Sequence, residues 1–183
     1  MRLFEGYPAL EDDVLIIRKM SFSDAKALKE MTENRNIYHY LPTFLYECRY
    51  EDKREVLEKM DVECMKTHDS VLMGIYPKEK EDELLGIAEI YSYKEERNKA
   101  SIGYRLKEEY WGKGIATRVA RLLRDYLIDE IGLRTITAHV MRENKASGRV
   151  LIKNGFYNKY PDNMEDWGFE EPVLVDKYVI QNK

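Results

Sequence analysis

The sequence predicts a single mixed α/β domain built on a largely antiparallel sheet, and three observations lead there. The apolar runs 70–76, 83–93 and 100–106 are separated only by the short charged stretches 77–82 and 94–99, which is the pattern of a three-stranded meander. A strand, a glycine turn and a long periodic stretch then follow one another within residues 100–131. Finally, 183 residues suit one sizeable core and hardly two. No internal repeat, low-complexity segment or linker divides residues 1–183, so the whole chain reads as one domain.

Taken in order, residues 1–13 carry Gly6, Pro8 and an acidic run and form a lead-in. "VLIIRK" (14–19) is β-branched and of strand length. In "SFSDAKALKEM" (21–31), Ser21 or Ser23 can cap a helix whose Ala27, Leu28 and Met31 share a face. "NRNIYHYLPTFLY" (34–46) is aromatic and broken by Pro42, which predicts a loop between helices. "EDKREVLEKMDVECMK" (51–66) sets Val56, Leu57, Met60 and Cys64 at helical spacing. After the meander comes the glycine turn, then a helix whose Ile115, Val119, Leu122, Leu123, Tyr126, Leu127 and Ile131 form one apolar face ending near Gly132. "TITAHVM" (135–141) is a strand, residues 146–153 a short helix stopping at Asn154-Gly155, and "VDKYVI" (175–180) at least one more strand.

Composition excludes several classes. With 44% hydrophobic and 35% charged residues the chain is globular rather than disordered. A net charge of −4 argues against a nucleic-acid binder, which needs clustered Lys and Arg to neutralise phosphates. No apolar run approaches the roughly 20 residues of a membrane span, and the N-terminus lacks a signal-peptide core; a cytoplasmic location without membrane partners is expected. Cys48 and Cys64 form no C-x-x-C pair, and His39, His68 and His139 show no ligand spacing. Two free thiols and no metal are expected.

The glycines at 112 and 114 stand at the mouth of the long helix. A helix start carries backbone N–H groups without intrahelical partners and the positive end of the macrodipole. Glycines there let the backbone turn tightly and approach a ligand closely, which suits a phosphate. The spacing is neither a P-loop nor a dinucleotide fingerprint: Gly112-Lys113-Gly114-Ile115 lacks the Gly-Lys-Ser/Thr end, and Thr117 replaces a third glycine. By itself, Gly-x-Gly before a helix is equally compatible with a plain tight turn.

The wider stretch is more specific. "GYRLKEEYWGKGIATRVARLL" resembles the acetyl-CoA-binding motif of the GNAT superfamily of N-acetyltransferases, within it the branch of the ribosomal-protein N-terminal alanine acetyltransferases. The family pattern Gln/Arg-x-x-Gly-x-Gly/Ala appears here as Glu109-Tyr110-Trp111-Gly112-Lys113-Gly114, with Glu109 departing at the first position. A carboxylate there must point away from the phosphates. A second block, "ENKASGRVLIKNGF" (143–156), matches the branch at Asn144, Ser147, Gly155 and Phe156. The likeness is tight over 100–156 and looser over 14–180.

The resemblance implies a GNAT-like fold: a central, mostly antiparallel sheet, flanked by helices, whose fourth (100–106) and fifth (135–141) strands splay around CoA. It assigns the pantetheine to backbone groups around Leu106 and the pyrophosphate to the amides of Gly112, Lys113, Gly114, Ile115, Ala116 and Thr117. Lys113, Arg118 and Arg121 are candidate phosphate partners, although a solvated basic face serves the two arginines equally well. Asn144 would hold the pantetheine and Ser147 would sit by the sulfur. The implied reaction is direct acetyl transfer to a primary amine, either a small molecule or a protein N-terminus, in a ternary complex. A backbone N–H at a strand bulge near Leu106 is the candidate oxyanion donor.

An ammonium must lose a proton before it can attack. Alternation in "IAEIYSY" puts Ile87, Glu89, Tyr91 and Tyr93 on one face, which makes Glu89 the preferred base and Tyr91 a substrate contact. His139 reads as a structural histidine. Tyr38, His39 and Tyr40 lie in the loop that shapes the acceptor pocket in this family, as further substrate contacts. The family's acidic tyrosine, seven residues after the asparagine, is Leu151 here, so Ser147 becomes the candidate acid. That loss leaves a second reading, a non-catalytic acyl-CoA-binding or regulatory module, against which the retained Asn144 and Ser147 argue. Monomer and homodimer both fit the sequence.

Overall fold

The computed structural model describes residues 3–182. Eight strands form one sheet: β1 (Leu10–Glu11), β2 (Leu15–Arg18), β3 (Ser70–Pro77), β4 (Gly86–Lys94), β5 (Lys99–Leu106), β6 (Thr135–Met141), β7 (Tyr157–Glu165) and β8 (Val173–Gln181). Their spatial order is β1-β2-β3-β4-β5-β6-β8-β7. Every neighbouring pair is antiparallel except β5 and β6. The helices are α1 (Ala25–Glu33), α2 (Arg35–Tyr38), α3 (Lys53–Met60), α4 (Ile115–Asp125) and α5 (Lys145–Lys153). The mixed, mostly antiparallel sheet flanked by helices is the expected fold class. Counting the short β1 makes the predicted fourth and fifth strands β5 and β6.

Strand alternation sorts the core onto two faces. Val71, Met73 and Ile75 of β3 join Val119, Leu123 and Leu127 of the α4 segment and Leu151 of α5 on one side. Leu72 and Tyr76 turn to the other, against Leu28 and Met31 of α1 and Val56, Leu57 and Met60 of α3. The period-2 pattern of the strands and the 3.6-residue pattern of the helices thus make a three-layer sandwich.

The β5–β6 seam positions the site. Parallel pairing runs only from Lys99–Thr135 to Ser101–Thr137. A buried bond between Ser101 Oγ and Thr137 Oγ1, 2.7 Å long, closes that root. Beyond it each strand follows its other partner: β5 stays on β4 to Leu106, and β6 stays on β8 to Met141. The sheet opens between them.

Three local expectations differ. Tyr93 leaves the face of Glu89 and Tyr91, because Ser92 takes φ +51° and the register shifts between Tyr91 and Lys94. Tyr93 packs instead against the α4-side core and meets Phe4 edge-on at 5.9 Å. Residues 35–38 form the short helix α2 inside the predicted loop. Strand β7 was not expected: it is a largely exposed edge strand containing Pro161, with Asp162 at φ +56° and two register shifts. Polar residues, proline and bulges are how edge strands avoid pairing with other chains, so they hide the strand pattern.

Arg118 and Arg121 do not border the cavity at the glycine turn; their guanidiniums are taken by acidic residues of the lead-in. Both reach the lead-in, at 2.8 and 2.7 Å from Asp12 Oδ2, and Arg118 also reaches Asp13 Oδ1 at 2.6 Å. Burial favours protonation of Asp12, but the N–H groups of Val14 and Leu15 and then Arg118 prevail and hold its carboxyl down to about 2. A lowered folded pKa gives stability that is complete above the ordinary 3.8 and is lost as pH falls through about 2. Asp12→Asn should therefore be less stable than the parent at pH 6 in urea unfolding, with the difference shrinking between about pH 4 and 2. A difference that does not change with pH would mean the charge on Asp12 contributes nothing.

Candidate functional site

The glycine turn takes the form its sequence demands. Gly112 and Gly114 sit at φ +71° and +79°, and a Cβ on either would meet no heavy atom within 4 Å. The glycines therefore serve the backbone conformation and leave open space beside it. Gly114 caps α4 with no side-chain acceptor, and the first intrahelical bond runs from Arg118 N to Gly114 O at 3.2 Å. The amides of the first turn are thus unclaimed by a cap.

The turn is anchored from behind by α5. Asn154 is buried, and its Nδ2 donates to Thr117 O at 3.1 Å and to Val150 O at 2.9 Å. Gly155, at φ +84°, donates to Ile152 O at 3.0 Å, and Phe156 N donates to Leu151 O at 3.1 Å, which together make a Schellman stop. Phe156 and Leu151 are both buried in the same core, so the Gly-Phe pair ends α5 and locks it to α4.

A cavity of about 570 Å³ runs from this turn into the β5–β6 opening. Gly112, Gly114, Ile115, Ala116, Thr117, Leu106, Asn144 and Ser147 border it, whereas Lys113 is exposed with its ammonium 5.5 Å from the Tyr110 ring. Glu109 is exposed and Glu108 borders the cavity, its oxygens taken by Asn34 Nδ2 at 2.6 Å and Asn36 Nδ2 at 2.9 Å. These features fit a diphosphate: open space at two left-handed glycines, free helix-start amides, and the nearby carboxylate already paired.

The edge of β5 supplies the donors. Lys107 N donates to Leu85 O at 2.9 Å, so antiparallel alternation turns the peptide groups of Tyr104 and Leu106 away from β4, into the opening. The register is regular from Gly86–Leu106 to Tyr91–Ser101, so the expected bulge near Leu106 is absent and divergence of β6 exposes these groups instead. Trp111 Nε1 claims Leu106 O at 2.9 Å. What this edge offers at Leu106 is therefore an N–H.

A second cavity, about 700 Å³, lies between the 40–46 loop, β4–β6 and residues 165–167. It shares Tyr40, Leu41, Tyr104, Arg105, Asn144 and Ser147 with the first, so the two spaces meet there. Asn144 caps α5 by accepting from Ser147 N at 3.2 Å. Ser147 Oγ lies 3.1 Å from the Tyr104 hydroxyl. Leu151 is core, and the phenol beside Ser147 is that of Tyr104, from another element.

Glu89 and Tyr91 both border the second cavity, under Gly103. Glu89 is buried, and its Oε2 accepts from Arg105 Nη1 at 2.7 Å. Burial pushes the Glu89 carboxyl above its ordinary range; Arg105 opposes this, and Glu47 adds to it. Tyr38 does not reach either cavity: its hydroxyl donates to Glu47 Oε1 at 3.0 Å beneath the site. His39 borders the first cavity rather than the second, edge-on to Tyr40 at 4.5 Å. Within α2 and its end each residue turns about 100°, so three neighbours cannot share one target. His139 Nδ1 lies 2.8 Å from Glu165 Oε1; burial lowers its pKa although Glu165 opposes this. Thr43 N donates to Trp167 O at 2.9 Å and ties two walls of the cavity together.

Sequence reasoning missed Arg105, Glu47, Tyr104 and Trp167. Arg105 was recoverable, since alternation and the short 94–99 turn put residues 89 and 105 on one face. Cys48 and Cys64 are both free, the former exposed and the latter buried. Among the described residues no helix is long and apolar enough to cross a membrane, and no cluster of three metal-ligating side chains occurs.

Known proteins resemble this chain in sequence and fold. The family model described as Acetyltransferase (GNAT) domain matches residues 14–157. The uncharacterized N-acetyltransferase YoaA of Bacillus subtilis is 28% identical over 168 residues, covering 82% of this chain and 83% of the relative. A GNAT-family acetyltransferase from Bacillus anthracis superposes with TM-score 0.79 at 26% identity, over 95% of this chain and 98% of that one. The fold is also that of spermidine N-acetyltransferase from Vibrio cholerae, solved with CoA and spermine, at TM-score 0.76 and 20% identity over 93% and 96% of the two chains.

Proposed function

The chain belongs to the GNAT family of acetyltransferases, and from that premise we propose that it transfers an acetyl group from acetyl-CoA directly to a primary amine. The observation that carries this reading is the meeting of two cavities at Tyr104, Asn144 and Ser147. One ends at an anion-binding turn; the other holds a buried carboxylate. When bound, acetyl-CoA supplies an activated carbonyl and a thiol leaving group.

The protein's own residues do the rest. Amides of residues 112–117 grip the diphosphate. The Leu106 N–H, which the β4 pairing turns toward the opening, donates to the oxygen on which charge develops. Glu89 accepts the proton that an ammonium must shed. The Ser147 hydroxyl, beside that of Tyr104, relays to the departing sulfur the second proton that the nitrogen sheds as the amide forms, and so ends the cycle protonated. A buried carboxylate amid Tyr40, Tyr91 and Trp167 suits a compact cation, and the Thr43–Trp167 tie favours a small amine over a trailing polypeptide.

Free-thiol release from acetyl-CoA with a panel of small amines and N-terminal peptides tests this reading. Turnover with at least one small primary amine is expected, together with a rise in Tm on adding CoA. A response only to peptides would transfer the reading to protein N-termini. Stabilisation by CoA without turnover on any amine would make the protein a binding module, and no stabilisation would remove the cofactor assignment.

A further inference from the structure

Glu47 belongs to no strand of the sheet, yet it is completely buried in the turn Tyr46–Cys48. Its Oε2 accepts from Arg105 Nη2 at 2.5 Å and its Oε1 from the Tyr38 hydroxyl at 3.0 Å. Lys53 Nζ donates to its carbonyl at 2.9 Å, which fixes the turn. Arg105, buried as well, gives its other terminal nitrogen to Glu89. One guanidinium therefore serves two buried carboxylates, leaving the trio one negative charge in excess.

A second buried carboxylate is a cost that pairing Glu89 with Arg105 would not require. If Arg105 had only Glu89, the two would form a closed pair, and Glu89 would have little reason to take a proton from anything entering the cavity. Resting on the reading of Glu89 as base, we infer that Glu47 is a positioning residue for the proton transfer: it claims half of the Arg105 guanidinium, so that Glu89 faces the cavity only partly neutralised. Tyr38, which donates to Glu47, holds that side chain in its Arg105-directed pose.

The surroundings of Glu89 agree. Arg105 faces it from β5, Glu47 from the turn before α3, Asp69 from the residue before β3, Tyr91 from its own strand, and the Cys64 thiol from the segment after α3. Arg105 is the cation bonded to Glu89; Arg49 borders the same cavity but pairs with Glu63, and Lys53 holds the backbone carbonyls of Glu47 and Tyr50. Glu47 and Asp69 act on Glu89 in the same direction as burial, and Arg105 opposes all three.

The test is Glu47→Gln, which keeps acceptor and shape and removes the charge. Carboxyl NMR titration of the free protein, with the Glu89 signal assigned by its loss in Glu89→Gln, should show Glu89 titrating about one pH unit lower in Glu47→Gln. The acidic limb of kcat/KM should move down by the same amount, and the plateau should fall about 3- to 10-fold because a weaker base remains. Glu47→Asp keeps the charge but shortens its reach to Arg105, and should fall between the two; it also carries the test if the glutamine variant does not fold. An unmoved Glu89 titration in whichever variant folds overturns the inference. Full activity and an unchanged limb in Glu89→Gln would overturn the base assignment instead, a result the titration in the free protein keeps separate.

Discussion

Gly114→Val is expected to weaken CoA binding by at least about 100-fold while the domain stays folded. Gly114 holds φ +79°, a region that β-branched residues avoid, so valine either strains the turn or rotates the amides that follow it. Charge-assisted hydrogen bonds to phosphate contribute about 1.5–3 kcal/mol each, so losing two costs on the order of 10²–10⁴ in Kd. The space around a Cβ at this position is empty, which means no neighbour in the ligand-free protein has to move and the fold should tolerate the change. Calorimetric titration with CoA alongside a thermal melt reads both quantities. Unchanged affinity would reduce the glycine turn to a simple corner and would remove the diphosphate from it.

Glu89→Gln is expected to lower kcat by about 10²–10³, the usual contribution of a positioned base. Glu89 does not border the cavity of the glycine turn, so CoA affinity should be unaltered. Arg105 keeps Glu47, and the variant should fold. The pH dependence is the sharper reading. In the parent enzyme activity should appear above a carboxyl pKa that lies higher than the ordinary 4.5, since burial raises it. In the variant the amine must arrive already neutral, so the rate should climb with pH toward the amine's own pKa and the deficit should narrow. A loss under about threefold with the parent's pH limb intact would exclude Glu89 as the base.

Much of this architecture is written in short-range patterns. The meander, the helix after Gly114 and the stop at Gly155 follow from alternation, 3.6-residue spacing and left-handed glycines, each of which depends on neighbours within a few residues. The site itself is legible only in part. Gly112, Gly114, Asn144 and Ser147 sit beside strong local signals, and Glu89 follows from alternation. Tyr93 does not, because Ser92 bulges without a glycine or proline to announce it. Glu47 is hidden for another reason: it stands in an irregular aromatic segment, and its partner is 58 residues away in sequence. Tyr38 looked like a pocket wall and is instead a prop beneath it, a distinction that depends on the rotation of one short helical turn.

The three-pair seam between Lys99–Ser101 and Thr135–Thr137 has a meaning apart from catalysis. Within the sheet, two leaves are joined by a short spine, one carrying β1–β5 and the other β6–β8, and the packing of α5 on α4 is their second tie. On the proposed reading a cosubstrate lodges between the leaves as mortar, and its binding energy adds to the resistance of the whole chain to unfolding. Resistance to an added protease should on that reading rise with the concentration of activated acetyl supplied.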